Sequence, residues 1–498
     1  MSGVGKVYLV GGGPGDPDLI TVKGHAILEQ AEVIVYDNLI SRELLALAPQ
    51  ALHIYAGKKK SDHAMPQEEI CALLVQHARE GKRVVRLKGG DPFIFGRGGE
   101  EMEALTEAGI PYEVVPGVTA ALGIAAYNGV PLTHRDHTSV VSFVTGHNPD
   151  QIDWNKVGHA ETLVLYMGLS NLTEIARRLM AAGRNPDTPA MAVRWATRAT
   201  QSTIVGTLET LPALVEQARM KPPATIVIGE VVGLREKLNW YERLPLFGKK
   251  IVITRASPQS ATLGHKLHEL GADVVELPVI AFAPPLDPGP LDQALANLQT
   301  YDWLIFTSAN GVRYFLERLD QSPFDLRGLR AKLCAIGPAT ARELEALHLK
   351  VDVIPEEYVA ESLVTAMRTF ELEGKRVLIP RAAVARDVVP DALRAMGAAV
   401  EVVETYRTVV PAASEAKAKE LFESARRPDW ITFTSSSTVK NFLSLAGAGS
   451  LNGVHVASIG PVTSDTARMH GLTVDAEAQP HTIEGLIQAI LLGPAALH

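Results

Sequence analysis

Residues 84–101 read VVRLKGGDPFIFGRGGEE. The stretch opens as a short apolar strand through Val84, Val85 and Leu87 and breaks at Gly89-Gly90-Asp91-Pro92. It crosses an apolar loop into a second glycine cluster, Gly96 to Gly99, and restarts as a helix near Glu100. Glycines let a backbone come close to a ligand, and Asp91 adds a carboxylate at the carboxyl end of the strand, where open α/β sheets bind small molecules. Doubled glycines are also ordinary turn chemistry, so the flanking sequence has to decide.

Outward from there the pattern is strand and helix in alternation. KVYLVGGGPGDPDLIT gives a strand, a glycine turn and a helix, and AEVIVYDNLI gives a strand ending on Asp37. A helix is expected around 67–80, and YEVVPGVTAALGIAAYNG is a strand, a turn and an apolar helix. Strands recur at VVSFVTGH, TLVLYMG, AMAVRWAT and ATIVIGEVV, spaced closely enough to include antiparallel ones. The turn Gly11–Pro17 is not a dinucleotide fingerprint: the sixth position from Gly11 is Asp16, and Pro14 removes a backbone donor that phosphate would want.

The whole chain sets bounds on function. Its 498 residues leave room for about three or four domains. With 46% hydrophobic and 21% charged residues, it has the composition of a globular protein with full cores. A formal charge of -8 argues against nucleic-acid binding, so an anionic substrate must be held by local basic residues. Cys71 and Cys334 sit far apart in apolar segments, with no disulfide framework and no metal-ligand spacing. No metal is expected. The strand at Lys6 follows Met1 almost at once, and no run of about 18 apolar residues occurs, so neither a signal peptide nor a membrane span is expected and the cytoplasm is the expected compartment.

GGGPGDPDLIT, YDNLIS, GKKKSDHAMPQEEI, VVRLKGGDPFIFGRGGEE, VVPGVTAALGIAAYNGVPLTHRD and YMG, in this order over roughly residues 4–240, resemble uroporphyrinogen-III C-methyltransferase. That family belongs to the tetrapyrrole methylases, whose S-adenosylmethionine site is not of Rossmann type. The resemblance implies a two-domain α/β module over residues 1–243, with the methyl donor folded in a cleft. Pro14, Gly89, Gly90, Asp91, Ile94, Thr119, Ala120, Met167, Ala196 and Ala224 are the implied lining. Glycine and alanine permit close approach, Asp91 can accept hydrogen bonds, and Met167 offers adaptable apolar contact.

By the same resemblance Asp37 is the candidate general base and Lys58 the candidate acid. Asp37 also reads as a turn residue before Asn38, and Lys58-Lys59-Lys60 as a solvated charge run. Arg42, Arg97, His134 and Arg135 are candidates for gripping substrate carboxylates, or are plain surface residues. The implied reaction is methylation of uroporphyrinogen III at C2 and C7, with two S-adenosylmethionine, to precorrin-2. Because the motifs begin near residue 6, the dehydrogenase and ferrochelatase module of trifunctional siroheme synthases is not expected ahead of them. A homodimer through this half is implied.

The remainder duplicates itself. GKKIVITRA at 248–256 recurs as GKRVLIPRA at 374–382, and YDWLIFTSANGVRYFL at 301–316 as PDWITFTSSSTVKNFL at 428–443. AIGPATARELEALHLKVDV recurs as SIGPVTSDTARMHGLTVDA. Three segments at nearly constant offset make a repeat of two α/β units, each of about four strands, as in paired flavodoxin-like sheets. The Thr-Ser clusters follow apolar strands, so their hydroxyls cap helices and, with the helix N-termini, form a neutral anion-binding surface.

This half, with its TRA and ETYRT segments, resembles uroporphyrinogen-III synthase over roughly residues 248–490. The resemblance implies that the chain crosses twice between two domains within residues 244–498. One domain would join 249–279 with 408–490, and the other would span 281–405. The implied reaction closes hydroxymethylbilane with inversion of its last ring and uses no cofactor. Tyr406 would assist departure of the hydroxyl, or simply pack between domains. Thr307, Ser308, Thr340, Ser435, Ser436 and Thr463 would bind substrate, and Arg255 and Arg381 could pair with carboxylates or cap strand ends.

The combined expectation is a bifunctional enzyme acting on tetrapyrroles. One rival is a methylase of another tetrapyrrole, which PLTHRD and GGDPFIFGRGGEE disfavour. The other makes the second half a two-lobed binding module without turnover.

Overall fold

The computed structural model describes residues 3–57, 65–254, 259–383 and 387–494. The chain divides into two compact units, residues 1–251 with 265–274, and residues 252–264 with 275–498.

The first unit opens with five strands: β1 (Lys6–Gly11), β2 (Val33–Tyr36), β3 (Leu52–Tyr55), β4 (Arg83–Lys88) and β5 (Tyr112–Val115). They form one sheet in the order β3-β2-β4-β1-β5, parallel throughout. Val7 and Leu9 enter one buried cluster while Tyr8 and Val10 enter another, so the sheet is covered on both faces, as parallel sheets require. Helices lie at Gln67–Arg79 and Gly98–Glu107, close to the expected 67–80 and the restart near Glu100.

A second sheet holds β6 (Val141–Thr145), β7 (Thr162–Tyr166), β8 (Pro189–Arg194), β9 (Ser202–Thr207) and β10 (Ala224–Ile228), in the order β6-β7-β10-β8-β9. Only β6 and β7 run parallel; β10 pairs antiparallel with both β7 and β8, and β9 antiparallel with β8. The short connection between β8 and β9 leaves no length for a crossover helix, which is why the alternation fails there.

Ten more strands build two further sheets. They are β11 (Lys250–Ile253), β12 (Asp273–Glu276), β13 (Ala281–Ala283), β14 (Trp303–Phe306), β15 (Lys332–Ala335), β16 (Arg376–Ala382), β17 (Ala399–Val409), β18 (Trp430–Phe433), β19 (His455–Ser458) and β20 (Ala476–Glu477). The orders are β12-β11-β18-β19-β20 and β13-β17-β16-β14-β15. The first is the flavodoxin order. Each sheet takes strands from both sequence repeats: the segment holding β11 is duplicated at β16, yet β11 sits beside β18 and β16 beside β14. This is the double crossover, and the lobes are therefore not the repeats. Each sheet has five strands where the repeat alone suggested about four, because β13 adds antiparallel to β17 at one edge and β20 parallel to β19 at another.

Candidate active sites

In the first unit the loops after β1, β4 and β5 interlock backbone to backbone. Gly13 and Gly90 form a bridge, with Gly90 N donating to Gly13 O at 2.7 Å, and Gly12 N donates to Lys88 O at 2.7 Å. A Cβ on Gly117 would stand 2.3 Å from Gly90 O and 2.7 Å from Gly11 Cα, so a side chain there would push the loops apart. Gly90 itself has φ +70°, and a Cβ on it would face Ala120 N and Thr119 Cα at 3.6 Å. The doubled glycine is therefore both a turn and a close approach.

Asp91 staples this arrangement. Its Oδ1 accepts from Phe93 N at 2.8 Å and Ile94 N at 3.3 Å, and its Oδ2 accepts from Gly117 N at 3.0 Å. Only Oδ2 keeps a lone-pair direction for a ligand, and the first duty of the carboxylate is to fix the turn opposite Thr119 and Ala120.

The second sheet supplies the other wall. Tyr166, the last residue of β7, shares a hydrogen bond of 2.7 Å with Thr119 Oγ1 and accepts from Ala121 N at 3.0 Å; burial pushes its phenol pKa up. Phe95 packs on the Tyr166 ring at 5.0 Å between centroids. Met167 follows with φ +53° and is 52% exposed, and Ile94 and Phe95 are exposed too. Pro14 lies against Gly123, where a Cβ would come within 2.6 Å of it.

Ala196 is buried after Trp195, a residue at φ +51°, and Arg198 stacks 4.6 Å over the Trp195 ring while donating to Leu39 O at 2.9 Å. Ala224 pairs with Arg194 across the ladder, one residue from Trp195. Small residues and a few fixed polar groups thus recur along these loops and strand ends.

Asp37 follows β2, with Oδ1 accepting from Leu39 N at 2.9 Å and Oδ2 at 3.6 Å from Arg86 Nη2. It thus makes the turn that its sequence suggests and faces a cation as well. Lys58 lies outside the described residues. Arg42 is exposed at the start of a short 3-10 helix. Arg97, at φ +58°, gives its Nε to Glu100 at 2.9 Å. His134 belongs to a turn closed on Thr138, its ring 4.7 Å from that of His137, and Arg135 is exposed. Among the described residues, no hydrogen bond or ion pair joins these four basic side chains to Asp37 or Asp91.

Sequence reasoning passed over Tyr166, Phe95 and Arg198. Tyr166 had a signal, since it stands inside YMG immediately before Met167.

In the second unit the repeated hydroxyl clusters cap helices. Ser308 Oγ accepts from Gly311 N at 3.0 Å at the start of the helix Ala309–Asp320. Ser435 makes a capping box with Thr438 at the start of Ser436–Ala446. Ser436 donates to Val462 O at 3.2 Å and accepts from Thr466 Oγ1 at 2.8 Å, which ties two helix starts together. Thr340 and Thr463 are buried in the first turns of Pro338–Glu345 and Pro461–Met469, and Thr307 is half-buried at the end of β14. The buried Thr434 Oγ1 has no hydrogen-bond partner among the described residues.

Tyr406 in β17 is 7% exposed, stacked on Tyr314 at 5.6 Å and edge-on to Phe282 at 5.4 Å, with its hydroxyl 3.1 Å from Ser308 Oγ. It packs, and it also carries a hydrogen-bonded phenol to a capping serine. Arg381 pairs with Asp387 at 2.5 Å; Arg255 lies outside the described residues.

Along its length, the chain is 38% identical to the porphyrin biosynthesis protein HemD of Ruminiclostridium josui, over 494 residues that make up 98% of each chain. The chain belongs to this HemD family of porphyrin biosynthesis proteins. Within this HemD-family chain, residues 6–212 match the family model of tetrapyrrole (corrin/porphyrin) methylases, and residues 261–488 match that of uroporphyrinogen-III synthase HemD. It is a fusion of the two. The siroheme synthase of Methylobacillus flagellatus is 52% identical over 246 residues, 48% of this chain and 53% of that protein, so the chain spans about half the length of that relative. A solved uroporphyrin-III C-methyltransferase of Thermus thermophilus, complexed with S-adenyl homocysteine, is 42% identical, with a TM-score of 0.41, over 46% of this chain and 100% of that one.

Proposed function

We propose that the chain closes hydroxymethylbilane to uroporphyrinogen III, with inversion of the last ring, and then methylates uroporphyrinogen III at C2 and C7 to precorrin-2. The observation that carries this reading is the presence of both family matches in one chain that aligns end to end with a porphyrin biosynthesis protein. The methylase module is placed at 1–243 and the synthase module at 244–498, the latter with domains of 249–279 plus 408–490 and of 281–405.

In the synthase module the Tyr406 phenol donates a proton to the departing hydroxyl of the bilane, so that the C–O bond breaks and water leaves. Ser308 orients that phenol. Ring closure then runs through a spiro intermediate in which one carbon–carbon bond to the last ring forms, another breaks and a third rejoins the inverted ring with loss of a proton. The protein's task is to hold the chain folded. Thr307, Thr340, Thr434, Ser435, Ser436 and Thr463, with the helix N-termini beside them, offer neutral donors to the rim carboxylates. Arg255 and Arg381 are candidates for direct pairing, the latter in exchange for Asp387.

In the methylase module S-adenosylmethionine supplies an electrophilic methyl group. The cradle around Gly90 and Gly117, with Ile94, Ala120, Ala196 and Ala224, holds it, while Asp91 and Thr119 orient its polar groups and Met167 faces the reacting end. Alignment does most of the remaining work. Asp37 takes the proton that the ring system loses as its carbon is methylated, and Lys58 serves as the acid. Arg42, Arg97, His134 and Arg135 grip the carboxylates of the incoming macrocycle, Arg97 by leaving Glu100.

Among the described residues no helix is long and apolar enough to cross a membrane. We take the protein to act in the cytoplasm, and family resemblance supports a homodimer through the methylase module.

Calorimetric titration of the full chain with S-adenosylmethionine, followed by turnover of uroporphyrinogen III, tests the methylase reading. One donor site per chain and two S-adenosylhomocysteine released per tetrapyrrole are expected. Donor binding without methylation of uroporphyrinogen III would assign the module to another substrate.

A further inference from the structure

Behind Asp37 the first sheet buries two cations on one strand. Arg86 and Lys88 in β4 are 5% and 4% exposed, and both point to Glu101 of the helix Gly98–Glu107, which is 0% exposed. Glu101 Oε1 accepts from Arg86 Nε at 3.1 Å, Lys88 Nζ at 2.8 Å and Gln67 Nε2 at 3.2 Å, whereas the buried Oε2 has no partner among the described residues. Arg86 Nη1 is spent on the carbonyls of Val35 and Leu87 at 3.3 and 3.1 Å, which turns Nη2 toward Asp37 Oδ2 at 3.6 Å. Burial and the neighbouring Arg86 push the Lys88 ammonium pKa down, against the pull of Glu101.

Burying charge in a sheet is costly, and all-apolar residues would close this core more cheaply. Arg86 and Lys88 bring two positive charges to the Asp37 side of this cluster. Glu101 offsets them, and its asymmetric bonding, with every donor on one oxygen, fixes the side of the guanidinium that faces Asp37.

We propose that Glu101 is a positioning residue for methyl transfer: it locks Arg86 in line with Asp37 and offsets the positive charge that Arg86 and Lys88 impose on that carboxylate. This rests on the reading of Asp37 as the general base. The groups facing the cluster are Arg86 and Lys88 from β4, Asp37 from the loop after β2, and Gln67 and Cys71 from the helix Gln67–Arg79, while Glu100 on the helix of Glu101 is turned to Arg97.

The test is the pH profile of single-turnover methylation by the full chain at saturating S-adenosylmethionine. Glu101→Gln keeps an acceptor but removes the charge, so its acid limb should move to lower pH by about one unit, with a plateau lower by about three- to tenfold. Lys88→Met leaves the carboxylates in excess and should move the limb the opposite way. A structural role alone would lower the melting temperature of both variants and leave both limbs in place or move them together, which overturns the proposal. If Glu101→Gln does not fold, the direction of the Lys88→Met shift decides. Asp37→Asn separates the two readings. Wild-type rate and limb in that variant would remove the base assignment and this inference with it. Loss of rate there, with an unmoved limb in Glu101→Gln, would overturn this inference alone.

Discussion

The hydroxyls of Tyr406 and Ser308 stand 3.1 Å apart, and the same serine caps the helix Ala309–Asp320 through Gly311 N. One side chain thus links a buried phenol to a helix N-terminus. Tyr406→Phe keeps the stacking on Tyr314 and removes only the donor. Its expected effect is a loss of about 10²-fold in hydroxymethylbilane turnover, with stability lowered by only about 1 kcal/mol. Stopped-flow turnover beside thermal melts checks it, and an unchanged rate would leave Tyr406 as a packing residue.

Gly117→Ala tests the interlocked loops. Its Cβ would fall 2.3 Å from Gly90 O, which is backbone and cannot swing aside. The expected cost is about 1–3 kcal/mol of stability, and a larger loss in S-adenosylmethionine affinity because the strain falls on the Gly90 turn. Denaturant melts and calorimetry with the donor read the two effects separately.

Tyr166→Phe removes the hydroxyl that serves both Thr119 Oγ1 and Ala121 N. The KM for S-adenosylmethionine should rise about 3- to 30-fold with kcat nearly held, the mark of lost ground-state binding. A fall in kcat at constant KM would contradict that placement.

Glu242 contributes to the pH dependence of the first unit. Burial would raise its pKa, but hydrogen bonds from Gln201 at 2.8 Å and Thr203 at 2.7 Å, with the Arg235 guanidinium, outweigh burial and hold it below the usual value of 4.5. A carboxylate depressed in the folded state adds stability above its unfolded pKa and loses it as pH falls through the folded one. Urea melts should therefore show stability falling as the pH drops below about 4.5, and Glu242→Gln should flatten that fall while lowering neutral-pH stability by about 2 kcal/mol.

Much of the fold was legible because periodicity carries it. The strand–glycine–helix reading of 84–101 puts β4 and the helix Gly98–Glu107 where they are, and the duplicated segments announce two related lobes. Glycines at 89–90 and hydroxyls at 307–308 and 434–436 were legible as strand ends for the same reason. Partnership was not. Arg86 and Lys88 sit in a strand that reads as apolar, and Glu101 in a helix start that reads as solvated. Only tertiary packing reveals that the three meet, since nothing in a linear pattern marks a charge as buried. Tyr166 likewise gains its role from residues more than forty positions away.

The most direct measurement is product analysis of the intact protein given hydroxymethylbilane with and without S-adenosylmethionine. The account predicts type-III uroporphyrinogen without the donor and a dimethylated product, precorrin-2, with it. Methylation of added uroporphyrinogen III, with hydroxymethylbilane closing only to the isomer it forms unaided, would contradict it and leave the second module a binding domain.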